Sequence, residues 1–260
     1  MIKYPDINPT IFEIGPFEIR WYSLMYIISF IIAYFWLKRK YRKRGVGLKE
    51  NEFESLFFYI ILGVLIGGRL GYVVFYNLKE YLQNPLEIFA VWHGGMSFHG
   101  GMIGTIFFTY LFARHHKYNF YKLADPAVVI APLGLALGRL GNFINAELYG
   151  RPTNLPWGML FPGETQPRHP SQLYELLFEG IILFLILFFM EKKKPKDGVL
   201  FWSFLFFYGI FRLFIEFFRE PDPQLGFIIG FLTMGQILCL AMILAAVIGF
   251  LSLHHSAKNQ

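Results

Sequence analysis

The sequence predicts an all-α integral membrane protein with about seven transmembrane helices, its N-terminus outside and its C-terminus in the cytoplasm. Three observations carry that expectation. Of the 260 residues, 55% are hydrophobic and 20% aromatic while only 16% are charged, a balance outside the range of ordinary soluble domains. The apolar residues come in seven runs that reach or approach the roughly 20 residues a spanning helix needs. Lysines and arginines gather in alternate loops between those runs, as topology signals do. The formal charge of +6 therefore reads as membrane orientation, and no nucleic-acid partner is expected.

In order, the runs are Phe17 to Leu37, Phe53 to Tyr76, Met96 to Ala113, Leu123 to Gly141, Gln172 to Met190, Val199 to Phe218 and Phe227 to Leu253. The third and fourth are short and glycine-rich. Residues before Glu18 include Asp6 and Glu13 and lack a basic n-region and a small-residue cleavage site, so the first run is expected to be retained as a helix. Loops after the odd-numbered runs hold Lys38, Arg39, Lys40, Arg42, Lys43, Arg44 and Lys49, then Arg114, Lys117 and Lys122, then Lys192, Lys193, Lys194 and Lys196, and finally Lys258. The opposite side holds Lys3, Arg20, Lys79, Arg151, Arg168 and Arg219. By the positive-inside rule the first set is cytoplasmic. The chain thus reads as a single polytopic domain with a non-cytoplasmic segment, about 142–171, between the fourth and fifth helices.

Three basic residues are left over, Arg69, Arg139 and Arg212, and each falls late in an outward-running helix. His99 begins an inward-running one at similar depth. Charges at membrane depth are functional-site candidates, and these four gather toward the outer face. A transporter would spread polar groups through the whole depth. Gly63, Gly67 and Gly71 in the second helix, and Gly134 with Gly138 in the fourth, carry the small-xxx-small spacing that lets helices approach closely.

Candidate chemistry centres on few side chains. Tyr208, Arg212, Glu216 and Arg219 recur at helical spacing and form one polar stripe of about three turns; such a stripe has to face protein or a wet cavity. His99 lies in Gly94-Gly95-Met96-Ser97-Phe98-His99-Gly100-Gly101, where glycines permit irregular backbone beside a cavity, and its imidazole is able to take a proton near neutral pH. His93 falls earlier, in the loop. The single cysteine, Cys239, lies inside the last apolar run, which excludes an intrachain disulfide and a cysteine-based metal site. No metal-site, P-loop or Gly-x-Ser-x-Gly motif occurs, so no metal or cofactor is expected. Ser97 and Ser171 stay open as nucleophiles without an evident base beside them. Arginines at the outer leaflet suit the anionic head group of a phospholipid, because the guanidinium fork matches phosphate.

The run Gly138-Arg139-Leu140-Gly141-Asn142-Phe143-Ile144-Asn145-Ala146-Glu147-Leu148-Tyr149-Gly150 resembles the signature of the bacterial prolipoprotein diacylglyceryl transferase family, G-R-x-G-N-F-x-N-x-E-x-x-G, at every fixed place. The glycine block around His99, the block His169-Pro170-Ser171-Gln172-Leu173-Tyr174-Glu175, the stripe Tyr208 to Arg219 with Glu220-Pro221-Asp222, and Trp21 to Tyr26 are similar to further family blocks in the same order. The resemblance implies a multi-pass enzyme of the bacterial inner membrane with its site toward the outer leaflet. It implies transfer of diacylglyceryl from phosphatidylglycerol to the lipobox cysteine thiol of a preprolipoprotein, with release of glycerol phosphate. Carried over by position, Arg139 and Arg212 would hold the phosphate and stabilise the leaving group, His99 would be the base, and Glu216 would orient Arg212. Tyr22, Asn142, Glu147, Tyr208 and Arg219 would line the lipid site.

Overall fold

A computed structural model describes residues 2–14, 17–90, 94–221 and 225–258; His93 and Asp222, singled out in the sequence, lie outside them. Helices are α1 Trp21–Lys43, α2 Glu50–Tyr76, α3 Leu78–Gln83, α4 Phe98–His115, α5 Phe120–Ile144, α6 Ser171–Glu175, α7 Leu183–Lys192, α8 Val199–Ile215 and α9 Met234–Lys258. A π-helical stretch, Leu176–Ile182, joins α6 to α7 as one rod, Ser171–Lys192. The described residues also form a 3-10 turn, Pro85–Phe89, and four short strands: β1 Ile2–Lys3, β2 Thr10–Ile14, β3 Phe17–Arg20 and β4 Met159–Leu160.

Each of the seven apolar runs contains a helix. Among the described residues five helices are long and apolar enough to cross a membrane: α1, α2, α5, the rod Ser171–Lys192, and α9. The 18-residue α4 and the 17-residue α8 are shorter. Large apolar side chains such as Phe58, Leu70, Leu244 and Leu251 stand exposed along these helices, which suits hydrocarbon and not water. The protein is a multi-pass helical membrane protein.

The chain forms two compact units, one of Met1–Trp36, Ala127–Pro221 and Gly235–Gln260, the other of Leu37–Pro126 and Asp222–Met234. In the second unit α2 packs on α4 through glycine. A Cβ on Gly67 would stand 2.4 Å from the Gly100 carbonyl oxygen, and one on Gly71 2.5 Å from Gly100 Cα, so the two backbones touch as the spacing of Gly63, Gly67 and Gly71 predicts. The glycine-rich entry to α4 is irregular as expected: Gly94 and Gly95 take φ of +80° and +77°, and Ser97 Oγ then caps the helix by accepting from Gly100 N at 3.2 Å.

In the first unit the rod packs against α5 where Gly180 meets Ala136, with room for no Cβ between them. A cap closes over one end of this unit. β1 pairs in parallel with β4, Tyr4 donates to the Phe143 and Ile144 carbonyls at 2.8 and 3.0 Å, and Tyr4, Met159 and Phe161 form a small buried core with Phe143, Ala146 and Tyr149 packed on it.

Four expectations need correction. Helix one begins at Trp21, because Phe17-Glu18-Ile19-Arg20 alternates with period two and pairs with β2 as a hairpin. The last helix begins at Met234 and not Phe227, since Gly226 and Gly230 adopt left-handed φ and Ile229 bridges to Leu232. The α8 stripe is not helical throughout: α8 ends at Ile215, and Arg219 sits in extended backbone that bridges Gly150. Gly134 and Gly138 form no close backbone seam: a Cβ on Gly134 would meet Ser29 Cβ of α1 at an ordinary 3.7 Å, and Gly138 faces open space.

Candidate active site

Arg139 lies one turn beyond Ala136, so the close approach of α5 to Gly180 delivers its guanidinium to two carboxylates on the rod. Its Nε stands 2.5 Å from Glu175 Oε2 and its Nη2 3.7 Å from Glu179 Oε2. From α8, Arg212 Nη1 reaches Glu175 Oε1 at 3.0 Å and Glu179 Oε1 at 3.4 Å, while Nη2 holds Glu216 Oε2 at 2.9 Å. Arg219 follows from the extended segment, its Nη1 3.0 Å from Glu175 Oε1 and its Nε 3.7 Å from Glu216 Oε2. Gly235, in the first turn of α9, leaves the space that the Glu216 carboxylate fills.

The result is a layer of three guanidinium groups interleaved with three carboxylates, formally neutral among the described residues. Burying such charges is costly unless every one is paired, and here every one is. Glu175 is the hub, touched by all three arginines. Arg139 is the least enclosed of the three, with its side chain 16% exposed against 10% for the others. Its free edge turns to Asn142, whose Oδ1 lies 3.5 Å from Nη1. Asn142 in turn donates to Glu147 at 2.8 Å, Asn145 adds a second bond to the same oxygen, and Gln172 fixes the Glu147 carbonyl at 2.6 Å. Tyr22, with its ring against Gly141 and its hydroxyl 3.1 Å from Tyr26, stands within electrostatic reach of Arg139 and Glu147. Tyr208 is fully buried behind the layer, near Glu179, Arg212 and Arg139.

The segment between α5 and α6 is fastened over this layer. Gly150 N donates to the His169 carbonyl, Arg151 N to that of Phe218, and Arg151 Nε to that of Arg219 at 2.7 Å. Those bonds take the carbonyls beyond the end of α8, which is why the backbone leaves the helix there. Farther out, Glu164 accepts from Tyr149 and Arg168, and Arg168 also reaches Glu220. The Tyr149 hydroxyl first, and Arg168 after it, hold the Glu164 carboxyl below its usual range; burial lowers His169.

The structure therefore brings together Tyr22, Arg139, Asn142, Glu147, Tyr208, Arg212, Glu216 and Arg219. His99 belongs to the other unit, buried at the first turn of α4 with its ring edge-on to Phe98. Arg69 does not behave as a free cation. Its Nε donates to Ile88 O at 2.9 Å, Nη1 to Gly94 O and Gly95 O, and Nη2 to Glu87 O and Ala90 O at 2.5 and 3.1 Å, so all five guanidinium donors are spent on backbone. Sequence reasoning missed Glu179 and gave Glu175 no role. The signal was present: two carboxylates four residues apart in a run otherwise apolar.

The family model described as prolipoprotein diacylglyceryl transferase matches residues 9–252. The chain belongs to that family. A phosphatidylglycerol–prolipoprotein diacylglyceryl transferase of Geobacter sulfurreducens is 52% identical to it over 94% of each chain, and one of Bordetella avium is 49% identical over 100% of each. One of Oleidesulfovibrio alaskensis is 51% identical over 95% of this chain and 94% of its own. In this family member the motif Gly138 to Gly150 corresponds to the end of α5 and the strap over the charged layer, which unites its arginine, amides and carboxylate in one place.

Proposed function

We propose that this chain carries out the reaction for which its relatives are named, moving the diacylglyceryl group of phosphatidylglycerol to a prolipoprotein, and that the lipid phosphate is received at the Arg139–Arg212 layer. The observation that carries the reading is the convergence of three buried arginines on Glu175, with Arg139 left partly open beside Asn142. Arginine in a low-dielectric site stabilises charge where it develops, and here charge develops on the departing phosphate.

In this reading the acceptor is the lipobox cysteine thiol of the preprolipoprotein. The chain's own Cys239 is buried in α9 and supplies no nucleophile. The substrate thiolate attacks a glyceryl carbon; a carbon–sulfur bond forms, the carbon–oxygen bond to phosphate breaks, and its electron pair leaves on glycerol phosphate. Arg139 and Arg212 hold the phosphate before and after that step. Glu216 orients Arg212, while Tyr22, Asn142, Glu147, Tyr208 and Arg219 line the lipid site. His99 takes the thiol proton, which matters because a free cysteine thiol has a pKa of about 8.5.

The same reading takes the chain as one polytopic domain of the bacterial inner membrane. Seven helices cross it, the N-terminus and segment 142–171 lie outside, and the C-terminus is cytoplasmic. The test is a lipidation assay with purified protein, phosphatidylglycerol and a lipobox peptide. Addition of diacylglyceryl to the cysteine peptide and not to its serine counterpart supports the proposal; no addition with either overturns it.

A further inference from the structure

The reaction above gives no task to Glu175 or Glu179, and while Glu175 is the hub that orients the arginines, Glu179 is held only loosely. Its side chain is 0% exposed, and its contacts to arginine are loose: 3.4 Å to Arg212 and 3.7 Å to Arg139, against 3.0 and 2.5 Å for Glu175. Glu179 Oε2 accepts no hydrogen bond, a condition it shares with Glu175 Oε2 and Glu216 Oε2, but those two stand 2.5 and 2.9 Å from nitrogens of Arg139 and Arg212 while its own arginine contact is 3.7 Å. It also sits in the π-helical stretch Leu176–Ile182, a local geometry that costs helix regularity and recurs at functional sites. A fully buried carboxylate whose nearest arginine stands farther off than its neighbours' is the member of the layer that most easily carries a proton.

Charge balance supplies the reason to carry one. The described layer holds three arginines against Glu175, Glu179 and Glu216. A phosphodiester monoanion entering it leaves one uncompensated negative charge in a buried site, and the cheapest remedy is a proton on one carboxylate. Glu175 is held by all three arginines, and Glu216 by Arg212 at 2.9 Å with Arg219 beyond. We propose that Glu179 takes up one proton from solution as the phosphate of a lipid binds, so that the layer stays neutral with the lipid in place. This rests on the reading of the layer as the phosphate site. The groups facing Glu179 are Glu175 on its own rod, Arg139 of α5, Arg212 and Tyr208 of α8, Arg219 beyond α8, and Cys239 of α9.

The test measures binding of phosphatidylglycerol, without peptide, to the purified full-length protein between pH 6 and 9, a range in which the lipid phosphodiester keeps its single charge. Uptake of one proton makes Kd rise toward tenfold per pH unit, and an infrared difference spectrum gains a carboxylic C=O band on lipid addition. Glu179→Gln, permanently neutral there, binds with a Kd independent of pH and without the band; Glu179→Asp keeps the band at a shifted frequency. A pH-independent Kd in the unaltered protein, or a band unmoved in Glu179→Asp, overturns the proposal while leaving the lipid site intact. Failure to bind phosphatidylglycerol at any pH overturns the functional reading and this inference with it.

Discussion

Arg139 Nε lies 2.5 Å from Glu175 Oε2, and through that carboxylate Arg139 is coupled to Arg212 and Arg219. The arginines act as one layer because a single buried carboxylate orients all three. Replacing Glu175 by Gln leaves three guanidinium groups short of a partner, and removing one member of a buried pair costs roughly 3–5 kcal/mol. Thermal unfolding of Glu175→Gln is expected well below that of the unaltered protein, whereas Glu220→Gln, whose side chain is 49% exposed, leaves the midpoint nearly unchanged.

Lysine keeps the charge of arginine and loses the fork. Arg139 uses separate nitrogens for Glu175, Glu179 and Asn142, so Arg139→Lys and Arg212→Lys are each expected to lose most transferase activity. Arg114, whose Nη1 donates to the exposed Tyr110 hydroxyl at 3.3 Å, tolerates lysine, as does Arg44. Transfer at a near-normal rate by either of the first two variants would show that the fork is dispensable.

The Arg69 guanidinium gathers five carbonyls from residues 87–95. Lysine offers three donors, and a buried carbonyl left without one costs about 1–3 kcal/mol. Hydrogen exchange in Arg69→Lys is therefore expected to quicken across 85–97, with α2 below it unchanged.

Glu164 gives the strap a pH dependence of known sign. Its carboxyl is held below the ordinary value of 4.5 by Tyr149 and Arg168, so the stabilisation is present above pH 4.5 and is lost as pH falls through the lower folded value. Acid titration of thermal stability is expected to steepen below pH 4.5, and Glu164→Gln removes that part of the slope.

Much of this was legible in the chain. Apolar runs mark the helices because hydrocarbon leaves the backbone no other partner, and Gly63, Gly67 and Gly71 announce the α2–α4 contact because only missing side chains permit it. Arg139, Asn142 and Glu147 stood out together in one motif, and the structure links them through Asn142. Glu175 and Glu179 were harder to read, since a carboxylate in an apolar run acquires meaning only when the helix facing it is known. The Arg69 clasp was hidden for the same reason: its partners are backbone carbonyls, which carry no sequence signal. Helix ends at Trp21, Ile215 and Met234 depended on strand pairing and on left-handed glycines, which are local features that hydropathy overlooks.

His99 as base predicts that His99→Gln binds lipid normally but transfers about 10²-fold more slowly, with partial recovery as rising pH ionises the substrate thiol. Rate profiles against pH at saturating lipid, parallel in the two proteins, would remove His99 from the proton transfer.

The claim that the arginine layer receives the lipid phosphate is tested most directly by a cryo-electron microscopy structure of the protein in phosphatidylglycerol nanodiscs. The account predicts phosphate density within about 3 Å of guanidinium nitrogens of both Arg139 and Arg212, the range of charge-assisted hydrogen bonds. Phosphate bound elsewhere, with Arg139 and Arg212 still closed on Glu175 and Glu179, would contradict it.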